Sequence, residues 1–234
     1  MSQSIRFGLQ KLTLLDYPGK TAATVFTPGC NFRCPFCHNA DLVFSDWDDP
    51  VFLMGREEVM QFLSKRRNLL DGVCITGGEP LLHDEIFSLV EDLHGLGFCV
   101  KLDTNGSFPD KLEKLLFTRQ VDYVAMDVKN SRDKYESSAG KTLDMEAIDR
   151  SIRLLLDSDI PYEFRTTVVK ELHTKADVLS IADWISGARY YALQKFVDSG
   201  NLIKDGLHAV PDDDMKEWKR MLENKLPKVG LRGL

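Results

Sequence analysis

Three cysteines, Cys30, Cys34 and Cys37, fall within eight residues at spacings of four and three. Iron–sulfur clusters are held by cysteine thiolates, normally four for a four-iron cluster. Three clustered thiols with no evident fourth point to a cluster with one iron left open, able to take a substrate or cofactor. A structural zinc site asks for four closed ligands. His38 adjoins Cys37 and would strain a tetrahedron, and the usual pair of separated zinc-ligand pairs is missing. A disulfide framework is disfavoured by the odd total of five cysteines. The opening Met1-Ser2-Gln3-Ser4-Ile5-Arg6 has no secretory apolar region, which favours a reducing compartment and a cytoplasmic protein.

Other polar groups fall at comparable places. Gly77-Gly78-Glu79-Pro80, Asp103-Thr104-Asn105-Gly106 and Asp127-Val128-Lys129 each follow a short apolar run. Gly77-Gly78 reads as a plain turn or as a place where backbone approaches a ligand closely, since glycine has no Cβ in the way. Glu79 is solvated or pairs with a ligand amine. Asp103 and Asp127 cap helices or hold a cation or polar ligand. Lys129 is a surface charge or pairs with a carboxylate. Arg165 sits in an otherwise apolar and β-branched run, facing solvent or reaching the same polar group. Cys74 and Cys99, inside apolar runs, read as small core hydrophobes. His83, His94, His173 and His208 show no partner pattern and read as structural or exposed. Trp47, Trp184 and Trp218 read as packing residues.

The elements that must position these groups alternate as βα units do. Strands are expected at Ala22–Thr27, Gly72–Thr76, Phe98–Leu102, Tyr123–Met126, Tyr162–Val169 and Tyr190–Phe196. Helices are expected near 56–67, 84–94, 110–116, 144–157 and 176–185, with a last one starting at Pro211, a favoured first helical position. Ile5–Pro18 reads as a small hairpin or lid strand. Six βα units are too few for the eight-stranded barrel, leaving an open partial barrel or a doubly wound sheet. In both, ligands bind at the carboxyl ends of parallel strands, which is where the cysteines and the three polar motifs fall. A single domain is expected: a lid over 1–20, a (βα)6 core over 21–225 and a tail over 226–234.

Composition narrows the function. Lys and Arg number 30 against 36 Asp and Glu, a net charge of −6, which argues against a nucleic-acid partner. No run approaches the roughly 20 apolar residues of a membrane span.

The Cys30/Cys34/Cys37 triplet, Phe36 before the third cysteine, and Thr76-Gly77-Gly78-Glu79-Pro80 together resemble the radical S-adenosylmethionine (SAM) enzymes, over nearly the whole chain. Cys37-His38-Asn39, Leu102-Asp103-Thr104-Asn105-Gly106 and Met126-Asp127-Val128-Lys129 resemble the glycyl-radical activating enzymes among them. The segment from Gly8 to Lys20 is similar to activating proteins of anaerobic ribonucleoside-triphosphate reductase.

The resemblance implies an α/β partial (βα)6 TIM-like barrel, open on one side. It implies one [4Fe-4S] cluster on Cys30, Cys34 and Cys37, with SAM chelating the remaining iron. It implies that Gly77, Gly78 and Glu79 meet the cofactor's amino group, that Phe36 and the backbone near His38 lie against adenine, and that Lys129 and Arg165 lie near carboxylate and ribose. Residues matching Asp103, Thr104, Met126 and Asp127 surround a monovalent cation in relatives. The implied reaction is reductive cleavage of SAM, with an electron from flavodoxin or ferredoxin, and removal of a Cα hydrogen from a glycine of a partner enzyme. No cysteine-rich insert lies between Asn39 and Arg56, so one cluster is expected. Pyruvate formate-lyase activating enzymes carry a His after the sixth strand; here Leu193-Gln194-Lys195-Phe196 has none, which argues against that target. The alternatives are activation of another glycyl-radical enzyme, a small-molecule radical SAM enzyme such as a deazapurine synthase, and a metal-binding adaptor without catalysis.

Overall fold

The computed structural model describes residues 5–44 and 53–234. Its strands follow chain order in the sheet, β1 to β8, and the chain divides into two compact units.

The first unit holds residues up to 31, 41–104 and 110–124. It opens with β1 (Gly8–Thr13), antiparallel to β2 (Ala22–Thr27), so the expected N-terminal lid strand is an edge strand hydrogen-bonded to the first core strand. Short helix α1 (Ala40–Phe44) was not expected; α2 (Arg56–Ser64) ends before residue 67, where a turn takes over. Strand β3 (Gly72–Gly77), α3 (Glu85–Gly95), β4 (Cys99–Thr104), α4 (Pro109–Phe117) and β5 (Tyr123–Asp127) follow, the last running on into the second unit. The parallel register aligns Ala23 with Val73 and Val100, and Val25 with Ile75 and Leu102. All six are fully buried. Alternate residues share a face, so the opposite face carries Thr24, Cys74 and Lys101 at one level and Asp103 beyond them. Helix α3 buries Ile86, Leu89, Val90 and Leu93 and packs on β4.

The second unit holds 32–40, 105–109 and 125–234. It contains α5 (Tyr135–Ala139), α6 (Met145–Leu156), β6 (Tyr162–Val168), α7 (Lys175–Trp184), β7 (Tyr191–Lys195), α8 (Asp212–Leu222) and β8 (Val229–Arg232). Caps fix the helix starts. Asp144 accepts from the Glu146 amide at 3.0 Å, and Thr174 with Asp177 forms a reciprocal capping box on α7. Three aspartates in the first turn of α8 and Lys219 and Arg220 in its last complement the helix dipole.

The tail expected over 226–234 is corrected by β8, which pairs in parallel with β7. Its Gly230 lies beneath the Tyr190 hydroxyl, where a Cβ would come within 2.0 Å. The expected set of six strands thereby gains one at each edge. Trp47 lies outside the described residues. Cys74 is buried as expected, whereas Cys99, the first residue of β4, is only half-buried. No helix among the described residues is long and apolar enough to cross a membrane.

Glu163 of β6 is fully buried. Both its oxygens are met by the Arg232 guanidinium, at 2.9 and 2.6 Å. Removing one partner of a buried pair leaves an uncompensated charge. Arg232→Met is therefore expected to lower unfolding free energy by about 3 kcal/mol in urea titration, and Glu163→Gln in the same chain to restore part of the loss.

Candidate active site

In the first unit the backbone is packed tightly around the residues leading to Cys30. The Gly78 amide donates to Thr27 O at 2.8 Å and the Glu79 amide to Gly29 O at 2.9 Å, extending the β2–β3 pairing past the strand ends. A Cβ on Gly78 would lie 1.8 Å from Gly29 O, and one on Gly77, whose φ is +119°, would lie 2.4 Å from Thr27 N. These glycines are thus required by the close approach of the chain's own backbone, immediately before Cys30. His83 adds a ring-nitrogen hydrogen bond to Pro28 O at 2.7 Å.

Glu79 is fully buried. One of its oxygens accepts from the Leu81 amide at 3.1 Å and from the Thr104 hydroxyl at 2.8 Å, so the side chain ties the end of β3 to the end of β4. Asp103 pairs with the buried Lys101 ammonium. The Cys74 sulfur lies 3.7 Å from that ammonium and 3.8 Å from the Asp103 carboxylate, so its buried surroundings are polar on one side.

Cys34 and Cys37 belong to the second unit and are joined by a turn in which the Cys37 amide donates to Cys34 O at 3.0 Å. On one side of that turn the Arg33 amide donates to Ala139 O at 2.8 Å; beyond it the Lys204 amide donates to Pro35 O at 3.1 Å. The buried Phe36 meets the edge of the His173 ring, centroids 6.2 Å apart. His38 stacks on Phe196, with centroids 5.7 Å apart and planes 19° apart. Burial, and then the Lys129 charge, hold His38 below its ordinary pKa against the opposing pull of Asp198. None of the five cysteines forms a disulfide.

Asp127 accepts from Arg165 Nε at 2.8 Å and from Lys129 Nζ at 3.0 Å. Burial favours the neutral carboxylic acid, but the two cations outweigh it and hold Asp127 well below the usual carboxylate range. Burial likewise disfavours the Lys129 ammonium; Asp127 and then Cys34 reverse this and raise its pKa.

The three residues expected to face the cofactor from β5 and β6 thus form one ion-paired group. His173 was not singled out by sequence, yet its ring nitrogen bonds Lys129 O at 2.8 Å from a buried position. Its signal is only a histidine four residues after Val169, whose amide and carbonyl also meet the ring.

Among the described residues, no three Cys, His, Asp or Glu side chains gather around a single metal ion. A four-iron cluster makes a different demand, because each thiolate takes an iron of its own. Three undisulfided thiols, two of them in a tight backbone-fixed turn, fit that donor set.

The profile of the radical SAM superfamily matches residues 24–185. The chain belongs to the radical SAM superfamily. A protein of Methanocaldococcus jannaschii, provisionally named a glycyl-radical enzyme activating enzyme, is 32% identical over 228 residues, covering 95% of this chain and 89% of that one. A 7-carboxy-7-deazaguanine synthase of Halobacterium salinarum is 37% identical over 97 residues, 40% of this chain and 36% of that one. The crystal structure of QueE from Escherichia coli superposes with a TM-score of 0.56 at 16% identity, covering 99% of this chain and 92% of that one. That likeness shows the fold as the open α/β sheet of the superfamily's partial barrels. This radical SAM protein is accordingly an enzyme of a superfamily that uses a [4Fe-4S] cluster and SAM.

Two outcomes are expected from this geometry. Gly78→Ala forces a methyl group into a backbone carbonyl and should cost about 1 to 3 kcal/mol, read by thermal melting. Asp127 has a folded pKa below its unfolded value of about 3.9, so its stabilisation is present above that value and fades as pH falls through the folded pKa. The stability gap between the native chain and Asp127→Asn in urea titrations should therefore stay constant from pH 7 to about pH 5 and shrink below about pH 4.

Proposed function

We propose that this chain is an activating enzyme that installs a glycyl radical on a partner protein, with anaerobic ribonucleoside-triphosphate reductase as its target. The observation that carries this reading is the similarity, over nearly the full length of both chains, to a protein provisionally named for that activity. The motifs at Cys37-His38-Asn39, Leu102–Gly106 and Met126–Lys129 support it.

In this reading Cys30, Cys34 and Cys37 would hold a [4Fe-4S] cluster that binds SAM. Together the cluster and SAM would supply the one-electron chemistry that removes a glycine Cα hydrogen. The chain supplies placement. Gly77 and Gly78 let backbone reach the amino group, and Glu79 holds their turn from a buried position. Phe36 and His38 offer ring and backbone to adenine. Asp127 favours the charged form of Lys129 and orients Lys129 and Arg165 toward carboxylate and ribose. Holding reacting atoms within about 3 to 3.5 Å accounts for much of such a rate gain. Reduced flavodoxin or ferredoxin serves as electron donor, in the cytoplasm and under low oxygen.

A second reading, synthesis of a deazapurine from a small substrate, draws on the partial similarity to 7-carboxy-7-deazaguanine synthases. The two separate in one experiment. The anaerobically reconstituted protein is mixed with reductant, SAM and anaerobic ribonucleoside-triphosphate reductase. The expected outcome is 5′-deoxyadenosine by chromatography and a glycyl doublet by electron paramagnetic resonance, both lost in Cys34→Ala. 5′-Deoxyadenosine without a doublet, together with turnover of a deazapurine precursor, would replace the first reading by the second.

A further inference from the structure

Helix α5 has no part in the chemistry proposed above, yet it is built as an anchored block. Tyr135 is fully buried and its hydroxyl donates to Asp127 O at 3.3 Å. Its ring meets Trp184 edge-on, centroids 5.7 Å apart. Ser138 is also fully buried, and its oxygen accepts from Asn130 Nδ2 at 2.9 Å; the same amide nitrogen donates to Leu172 O at 3.0 Å. Five residues of helix are thus fastened to the end of β5 and to the turn before α7.

The free end of this block presses on the cysteine turn. Ala139 O accepts from the Arg33 amide at 2.8 Å. Gly140 caps the helix in the left-handed region at φ +69°. A Cβ on Gly140 would stand 2.0 Å from Arg33 O, 2.6 Å from Arg33 C and 3.2 Å from Arg33 Cβ. The first two are backbone atoms of the residue directly before Cys34, so no side-chain rotation relieves the clash.

We infer that Gly140 is a positioning residue for the iron–sulfur cluster. Its bare Cα lets α5 hold the Arg33 peptide, and hence Cys34 and Cys37, in the ligating conformation before iron arrives. The inference rests on the cluster reading of those cysteines. Outer partners that orient metal ligands typically change metal affinity or activity 10- to 100-fold when altered.

Gly187 provides the control. Its φ is also positive, +94°, but a Cβ there would meet only Leu156 Cδ2, at 3.9 Å. Gly140→Ala and Gly187→Ala therefore share the backbone penalty of a left-handed alanine, and only the first displaces the cysteine turn.

The experiment compares native protein and both variants after anaerobic reconstitution. Iron and sulfide bound by the native protein establish the cluster reading itself; their absence overturns that reading, whatever the variants do. Given a native cluster, Gly140→Ala is expected to lose its cluster absorbance to an iron chelator about tenfold faster or more. The paramagnetic spectrum of its reduced cluster is expected to change, while Gly187→Ala matches the native protein in both. Equal behaviour of the two variants overturns the inference. Should Gly140→Ala fail to fold, hydrogen exchange on the metal-free native protein decides. An Arg33 amide protected like the core strands supports the brace, and one exchanging at the rate of open chain refutes it.

Discussion

A backbone carbonyl leaves no room for a methyl group at van der Waals overlap, and the cysteine-bearing segment depends on that fact twice. Gly29 O sits against Gly78, and Arg33 O sits against Gly140. Each contact lies within one residue of a cysteine, and each is accompanied by a backbone hydrogen bond, Glu79 N to Gly29 O and Arg33 N to Ala139 O. A loop between a strand and a short helix would otherwise have considerable freedom. Here its peptide planes are fixed by neighbours that are themselves rigid, the end of β3 in one unit and the end of α5 in the other. The His83 ring adds a hydrogen bond to Pro28 O, two residues before Cys30.

Electrostatics works on the same elements at short range. Asp127, at the end of β5, draws Lys129 and Arg165 toward itself and remains ionised despite burial. The pair of cations around one carboxylate leaves a net positive charge, which suits an anionic group better than a neutral one. Lys101 and Asp103 form a second buried pair in the first unit, balanced one to one. Glu79 accepts from the Leu81 amide and the Thr104 hydroxyl, which ties the end of β3 to the end of β4.

Strong periodic or continuous apolar runs made much of this legible in advance. Helix α6, expected over 144–157, spans Met145–Leu156 with Asp144 and Asp157 as its flanking caps. Strand β2 has the expected bounds, because six small, β-branched or aromatic residues between turn signals admit few other structures. Strand β8 was opaque: it is four residues long, lies at an edge and shows no clear alternation, and its strand character comes from pairing with β7. Gly140 carried a readable local signal, a glycine closing a helix, but nothing in the chain reveals that Arg33 is its neighbour. His173 and Phe196 escaped for the same reason, since their partners Lys129 and His38 stand 44 and 158 positions away in the sequence. That polar motifs follow the strands was legible because strand ends are few; the interactions each makes, such as Glu79 with Thr104, needed three dimensions.

The Glu163–Arg232 pair has a consequence for how the chain is made. During translation β6 emerges long before its counter-ion, which is encoded 69 positions downstream. At synthesis rates of about 5 to 20 residues per second, the carboxylate waits roughly 3 to 14 s for its guanidinium. The ion pair that ties β6 to β8 is thus missing while the chain between them is made, and it forms only after Arg232 has emerged.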